Sequence, residues 1–300
     1  MSRNEARWIA TVVVALLLAG PLAPAPAHAQ SPAGMKLCVF SSGALTVPKS
    51  LLQSGAENTP IQVPVAFFVI RHPKGNVLFD TGNNDRIITD PGYWGSAIQR
   101  VNPVRTPDVA IDVQLAKIGL KPDDIKYVVI GHFHLDHGGN VGKFPNSTVV
   151  VQRDELRAAF WPPPGFARGY IPGDVAVLRS ELGNAMPNRF STIELEGDLD
   201  LYRDGSLYIK RSVSHTPGSQ LLVVRLPKTG TVVLTSDVVS FKENLVKNLV
   251  PAVGISYRPS GFYEAYEWIR ELQARENADF MTAHDPEAFK ALRKAPDCYE

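Results

Sequence analysis

The chain has 300 residues, 44% of them hydrophobic, with 31 Lys and Arg against 30 Asp and Glu, a formal net charge of +1. That apolar share suits one large domain with a substantial core. The near balance of charge argues against a nucleic-acid partner, which needs a basic surface, and fits a small, weakly charged substrate.

The N-terminus reads as a signal peptide. Arg3 and Arg7 give it a positive start, and Trp8 to Leu18 form an apolar centre too short to span a bilayer. Gly20 and Pro21 break that run, and Ala27-His28-Ala29 has the small-residue pattern of a cleavage site. The expected organisation is a leader over 1–29 and a single domain over 30–300, exported to the periplasm or secreted; an uncleaved anchor is the alternative. Arg3, Arg7 and Glu5 carry a net +1, so the mature chain is about neutral. No later stretch is long enough to span a membrane. Cys38 and Cys298 lie near the two ends of the mature chain. In an exported protein they leave two arrangements open, a bridge tying the termini or two unpaired thiols.

Strands are expected at Leu37 to Phe40 and Val63 to Ile70, the second turning at Pro73-Lys74-Gly75-Asn76 and returning as Val77-Leu78-Phe79. Asp80-Thr81-Gly82 follows. Residues 83–105, rich in Gly, Pro and aromatics, suggest a surface loop near a site. Ala110 to Ile118 reads as a short helix stopped by Gly119. The β-branched run Tyr127 to Ile130 is a buried strand, and Thr148 to Val151 another. A helix spans Asp154 to Phe160 and ends at Trp161-Pro162-Pro163-Pro164. Residues 165–189 have weak periodicity and fit a lid or pocket wall. Strands return at Ser206 to Val213, Gln220 to Leu226, Thr231 to Thr235 and Asp279 to Ala283, with an amphipathic helix at Ser260 to Arg275 and a last helix from Pro286. Two sheets packed face to face, with helices outside, suit this order.

The stretch Gly131-His132-Phe133-His134-Leu135-Asp136-His137-Gly138-Gly139-Asn140 carries the chemistry. Four ligand-type side chains fall in six residues, on a glycine-rich turn after a strand, and imidazole and carboxylate are the usual zinc ligands. His132 and His134 are two apart, so in extended backbone they point the same way, while Asp136 and His137 can face a second point. One loop can therefore serve two ions. Of the remaining histidines, His28 is in the leader and His72 in a turn; His215 and His284, like Asp237, each lie just beyond an expected strand. Taken singly, His284 or Asp237 would suit an ordinary strand-end polar residue; their joint placement points to ligands. Asp80 is suited to holding the histidine loop by hydrogen bonds.

His132-Phe133-His134-Leu135-Asp136-His137, followed by His215, Asp237 and His284 and preceded by Asp80-Thr81-Gly82, resembles the full motif set of the metallo-β-lactamase superfamily over nearly the whole mature chain. Within it, Val149-Val150-Val151-Gln152-Arg153-Asp154-Glu155, Ser214-His215-Thr216-Pro217-Gly218-Ser219-Gln220 and Phe241-Lys242-Glu243-Asn244 are most similar to the N-acyl homoserine lactonases. The resemblance implies an α/β fold, the αβ/βα four-layer sandwich, and two divalent ions, usually zinc. By it, His132, His134 and His215 hold one ion, Asp136, His137 and His284 the other, and Asp237 bridges them. One departure stands out: the lactonases commonly carry a tyrosine three residues after the bridging aspartate, where this chain has Ser240.

The chemistry so implied is quorum-quenching lactone opening by a metal-bridging hydroxide, with Asp136 as the proton-transferring catalytic group. Phe133, Leu135, Trp161, Phe166 and Phe241 are candidates for an apolar pocket wall, and Tyr170 or Tyr257 for a hydroxyl in place of the one absent at Ser240. Alternatives on the same fold are hydrolysis of another lactone, a β-lactam or an organophosphate ester. A mononuclear iron enzyme and a non-catalytic binding protein are also on the table, but they make poorer use of a complete second ligand set. The expected partners are a small lactone and, at most, a second copy of the chain, with no membrane once the leader is removed.

Overall fold

Successive side chains of a strand point to opposite faces, and here they feed different cores. The computed structural model describes residues 31–179 and 190–300; the expected leader and residues 180–189 of the expected lid lie outside the described residues. The first half supplies β1 (Lys36–Pro48), β2 (Pro60–Arg71), β3 (Asn76–Phe79), β4 (Ile125–Val129), β5 (Thr148–Gln152) and β6 (Ser191–Leu195). The second supplies β7 (Leu199–Asp200), β8 (Leu207–Arg211), β9 (Gln220–Leu226), β10 (Gly230–Leu234), β11 (Asp279–Met281) and β12 (Cys298–Tyr299). One sheet has the order β12-β1-β2-β3-β4-β5-β6 and the other β11-β10-β9-β8-β7. β1, β2 and β3 pair antiparallel, β3 to β6 parallel, and β10 pairs parallel with β11.

Leu37, Phe68, Phe79, Val129 and Val150 of the first sheet meet Leu222, Val224, Val232 and Leu234 of the second in one buried cluster. The alternate residues Cys38, Phe67, Leu78, Val128 and Val149 face outward, onto Ile111 and Leu115 of a helix at Ile111–Ala116 and onto Ala158 and Ala159 of another at Arg153–Phe160. On the far side Leu221, Val223 and Val233 meet the helix Pro259–Glu276. Phe262, Tyr266, Ile269 and Leu272 of that helix recur at helical spacing and are almost fully buried. Each such side chain contributes roughly 1.5–3 kcal/mol by burial. Helix, sheet, sheet, helix is the four-layer α/β sandwich that the resemblance implies. No helix of the described residues is long and apolar enough to cross a membrane.

Two features differ from the sequence expectation, and a third decides between alternatives it left open. β1 runs on beyond Phe40 to Pro48, because the turn-like Ser41-Ser42-Gly43 forms an irregularity in the pairing with β2 between Ser41 and Ala44 instead of ending the strand. Segment 83–105 is not an open loop. It folds into short helices at Arg86–Thr89, Pro91–Trp94 and Ala97–Val101, with Trp94 buried against Leu45, Val47 and Leu135. Finally, Cys38 and Cys298 are bridged, with Cα atoms 4.4 Å apart, and the residues around Cys298 form the short strand β12 beside β1.

Candidate metal centre

The ends of β4, β8, β10 and β11 open onto one edge of the sandwich. They deliver, in turn, the loop of His132 to His137, His215, Asp237 and His284. Asp80, just after β3, organises the meeting point. Its Oδ1 accepts from the Gly131 amide at 2.6 Å, and its Oδ2 from His137 Nδ1 at 2.8 Å and Ser236 Oγ at 2.9 Å. Ser236 Oγ also lies 3.3 Å from His132 Nδ1, and His284 Nδ1 donates to the Pro64 carbonyl at 2.8 Å. Asp80 and Ser236 both hold positive φ, +59° and +46°, conformations that cost energy in a non-glycine residue and that dense packing must enforce. Gly131 is required between them, since a Cβ there would sit 2.5 Å from Ser236 Oγ. With the Nδ1 atoms of His132, His137 and His284 engaged in this way, their Nε2 atoms turn inward.

Inside, His134 Nδ1 lies 2.9 Å from His215 Nε2, and His137 Nε2 lies 3.2 Å from His284 Nε2. Asp237 Oδ1 is 3.0 Å from Nε2 of both His137 and His284, and its Oδ2 is 3.3 Å from His215 Nε2 and 3.8 Å from His132 Nε2. Asp136 Oδ2 is 3.4 Å from His284 Nε2. His132 Nε2 and Asp237 Oδ1 are buried without a hydrogen bond. Once Nδ1 of His137 and His284 donates outward, their two Nε2 lone pairs face one another. His132 Nε2 and Asp237 Oδ1, buried without hydrogen bonds and crowded against the Nε2 atoms of His137 and His284, fit a cation between them. The ligand atoms fall into groups of His132, His134 and His215; of His132, His137 and Asp237; and of Asp136, His137 and His284. Burial, with neighbouring imidazoles, holds His132 and His134 well below the usual histidine range; burial likewise lowers His215, keeping it neutral, the ligand form. Burial would also lower His137 and His284, but Asp237 and Asp136 outweigh it and raise both. Burial would raise Asp237, yet His284, His137 and His215 keep it ionised.

Glu155 was quoted in the sequence only as part of a resembling stretch, and it proves to clamp the site from behind. Fully buried at the start of the Arg153–Phe160 helix, it accepts from the Phe133 amide at 2.8 Å, Tyr170 Oη at 3.1 Å, Thr216 Oγ1 at 2.5 Å and the Gly218 amide at 3.2 Å. It therefore joins the His132–His134 loop to the His215 loop. Burial pushes its carboxyl above the ordinary range, against the opposing pull of these donors.

The histidine and aspartate cluster forms the floor of a cavity of about 500 Å³, reached by His134, Asp136, His215, Asp237 and His284. Its walls are apolar, built mainly from Leu45 and Val47 of β1, Leu52, Val63, Leu135 and Ile255. Such a cavity combines a polar, cation-binding end with an apolar sleeve.

Residues 61–284 match the family described as the metallo-beta-lactamase superfamily. The chain belongs to the metallo-beta-lactamase superfamily. It is 35% identical over 270 residues to the N-acyl homoserine lactonase AttM of Azorhizobium caulinodans, spanning 89% of this chain and 99% of that one. It is 32% identical to AttM of Rhizobium radiobacter over 88% of this chain and 98% of that protein. Among solved structures it is similar to an N-acyl homoserine lactone hydrolase with N-hexanoyl-L-homoserine bound at its catalytic metal centre. The TM-score is 0.74 at 25% identity, over 88% of this chain and 98% of the other.

In this metallo-beta-lactamase fold the expected wall residues separate. Leu135 and Phe166 line the cavity. Phe133 does not: lying between His132 and His134, it points the opposite way, into the core under the first sheet. Trp161 is 71% exposed beyond the end of its helix, beside Phe160 and Arg179. Phe241 is buried in the cluster that also holds Leu135, and is not among the lining residues. Ser240 is buried, its hydroxyl unpartnered, and it too lines no part of the cavity. Tyr257 stays outside, its ring edge-on to Phe166. Tyr170 gives its hydroxyl to Glu155 and sets its ring edge-on to His134, so it positions a ligand-type residue instead of facing a substrate. The sequence reading missed Leu45 and Val47, which lie past the expected end of β1, and Arg100 and Arg168, which line the same cavity.

Proposed function

We propose that this exported protein opens the lactone ring of N-acyl homoserine lactones by metal-dependent hydrolysis. The observation that carries this reading is the histidine and aspartate cluster at the floor of an apolar cavity, in a chain that aligns with lactonases along almost their whole length. His132, His134 and His215 would hold one divalent ion and Asp136, His137 and His284 a second, with Asp237 shared; the imidazole and carboxylate donors suit zinc. Bound there, the ions supply an activated water and a Lewis acid for the ester carbonyl. Water adds to that carbonyl, the ring C–O bond breaks, and a carboxylic acid and an alcohol result. Asp136, at the cavity floor, delivers the proton to the departing ring oxygen. Asp80 and Ser236 keep the imidazoles in the donating tautomer. The apolar wall takes the acyl chain and keeps water from it. The Cys38–Cys298 bridge supports export, since disulfides persist in oxidising compartments; recovery of the mature chain from the periplasm or medium tests that.

Acid release from a panel of N-acyl homoserine lactones is the decisive assay. Release abolished by chelator and restored by zinc is the expected result. Full metal loading with every chain length left intact would overturn the reading and favour another ester, lactone or lactam on the same fold. Ser240, buried away from the cavity, is what keeps that second reading in view.

A further inference from the structure

Outside the metal cluster, the cavity is lined by aliphatic, aromatic, proline and glycine residues with two exceptions, Arg100 and Arg168. Both come from short helical segments beside the site, Ala97–Val101 and Ala167–Gly169. Arg100 Nη2 donates to the Arg168 carbonyl at 3.0 Å, which ties the two segments together. Neither guanidinium has a carboxylate partner among the described residues, in contrast to Arg153, Arg211, Arg225 and Arg258. Both arginines are exposed, and the backbone that carries Arg168 is held against the ligand cluster. Gly169, next to Arg168, packs so tightly on His134 that a Cβ would lie 2.3 Å from its ring. The Leu135 amide also donates to the Gly169 carbonyl at 2.9 Å. Two planar groups with N–H donors free of carboxylates thus stand on the His134 side of an otherwise apolar sleeve.

A plain alkyl chain offers such donors nothing. An acyl arm with an oxygen beyond its amide carbonyl can accept from them, and hydrogen bonds with one charged partner are about twice as strong as neutral ones. We propose that Arg100 and Arg168 form a specificity subsite for an oxygen acceptor, a keto or hydroxyl group, on the acyl arm of the lactone. The subsite rests on the lactonase reading and deepens it.

The test compares acyl homoserine lactones of equal chain length, with and without a 3-oxo group, on the zinc-loaded enzyme. A ratio of kcat/KM of about tenfold in favour of the 3-oxo compound, equivalent to about 1.4 kcal/mol, is expected, carried mainly by KM. It should fall towards one in Arg168→Met and in the double variant with Arg100→Met, and recover in part in Arg168→Lys. Arg168→Met leaves its backbone carbonyl, and hence the link to Arg100, in place. A wild-type ratio near one, or a ratio unchanged in the variants, would overturn the subsite. Calorimetric titration of the ring-opened acids of the same pair reads the subsite without turnover. If wild type opened neither lactone, the functional reading would fall, and a binding ratio that collapsed in the variants would still support the subsite.

Discussion

Removing the Glu155 carboxylate would leave three buried donors without an acceptor, the amides of Phe133 and Gly218 and the hydroxyl of Tyr170, and would turn the Thr216 hydroxyl to Ser219 Oγ alone. Each unmet donor costs roughly 1–3 kcal/mol. Glu155→Ala should therefore lose several kcal/mol in urea unfolding, and Glu155→Gln, which keeps one acceptor oxygen, should lose less; two variants as stable as wild type would contradict the clamp. Asp80 acts through tautomer and orientation. Asp80→Asn should weaken metal binding by roughly 10- to 100-fold, measured by competition with a chromogenic chelator. At this scale the sequence was most readable. Seven ligand-type residues lie beside strand ends, and the structure brings all seven together. Glu155 was harder to find, because a carboxylate at a helix start resembles an ordinary favourable charge until its partners, up to sixty-three residues away, are seen.

Short elements carry the cavity, and short elements are what a sequence conceals. The long hydrophobic periodicities, in the strands of both sheets and the helix Pro259–Glu276, were legible because burial repeats in them. The helices of 83–105 are four or five residues long, so no period can build up, and the packing of the segment rests on single buried side chains, Ile87, Trp94 and Ala97. β1 was cut short in the reading because Ser41-Ser42-Gly43 has turn chemistry, although Ser42 Oγ instead receives the Asn83 amide at 2.9 Å. The segment Ala167–Gly169 shows how closely such an element can be coupled to the chemistry. Gly169→Ala would drive a methyl into the His134 ring. It should lower metal content per chain, read by elemental analysis, with the far-UV circular dichroism of the sandwich retained; full metal content would show that His134 has room to move.

Across the whole molecule, the first sheet supplies the loop from His132 to His137, and the second supplies His215, Asp237 and His284. The centre therefore spans the seam between two layers that otherwise meet through apolar contact. The bridge from Cys38 to Cys298 lies within the first sheet, where it ties β12 to β1 away from the centre. Cys298→Ser should cost about 2–4 kcal/mol of stability, measured as a fall in Tm that reducing agent reproduces in wild type, with the affinity for zinc unchanged. A matching loss of zinc affinity would mean that the two ends of the sheet are coupled.

That bridge joins residues 260 apart, so nearly all of the described chain lies inside one covalent ring. A ring cut once is still a single molecule. A protease that nicks an exposed segment between the two cysteines leaves both fragments attached to one another. Their strands stay at the high local concentration that re-pairing needs. For the exported enzyme proposed above, which no new chain could replace once damaged, this topology gives tolerance to a first cut. The fragments part only when a second cut falls within the ring or the sulfurs are reduced.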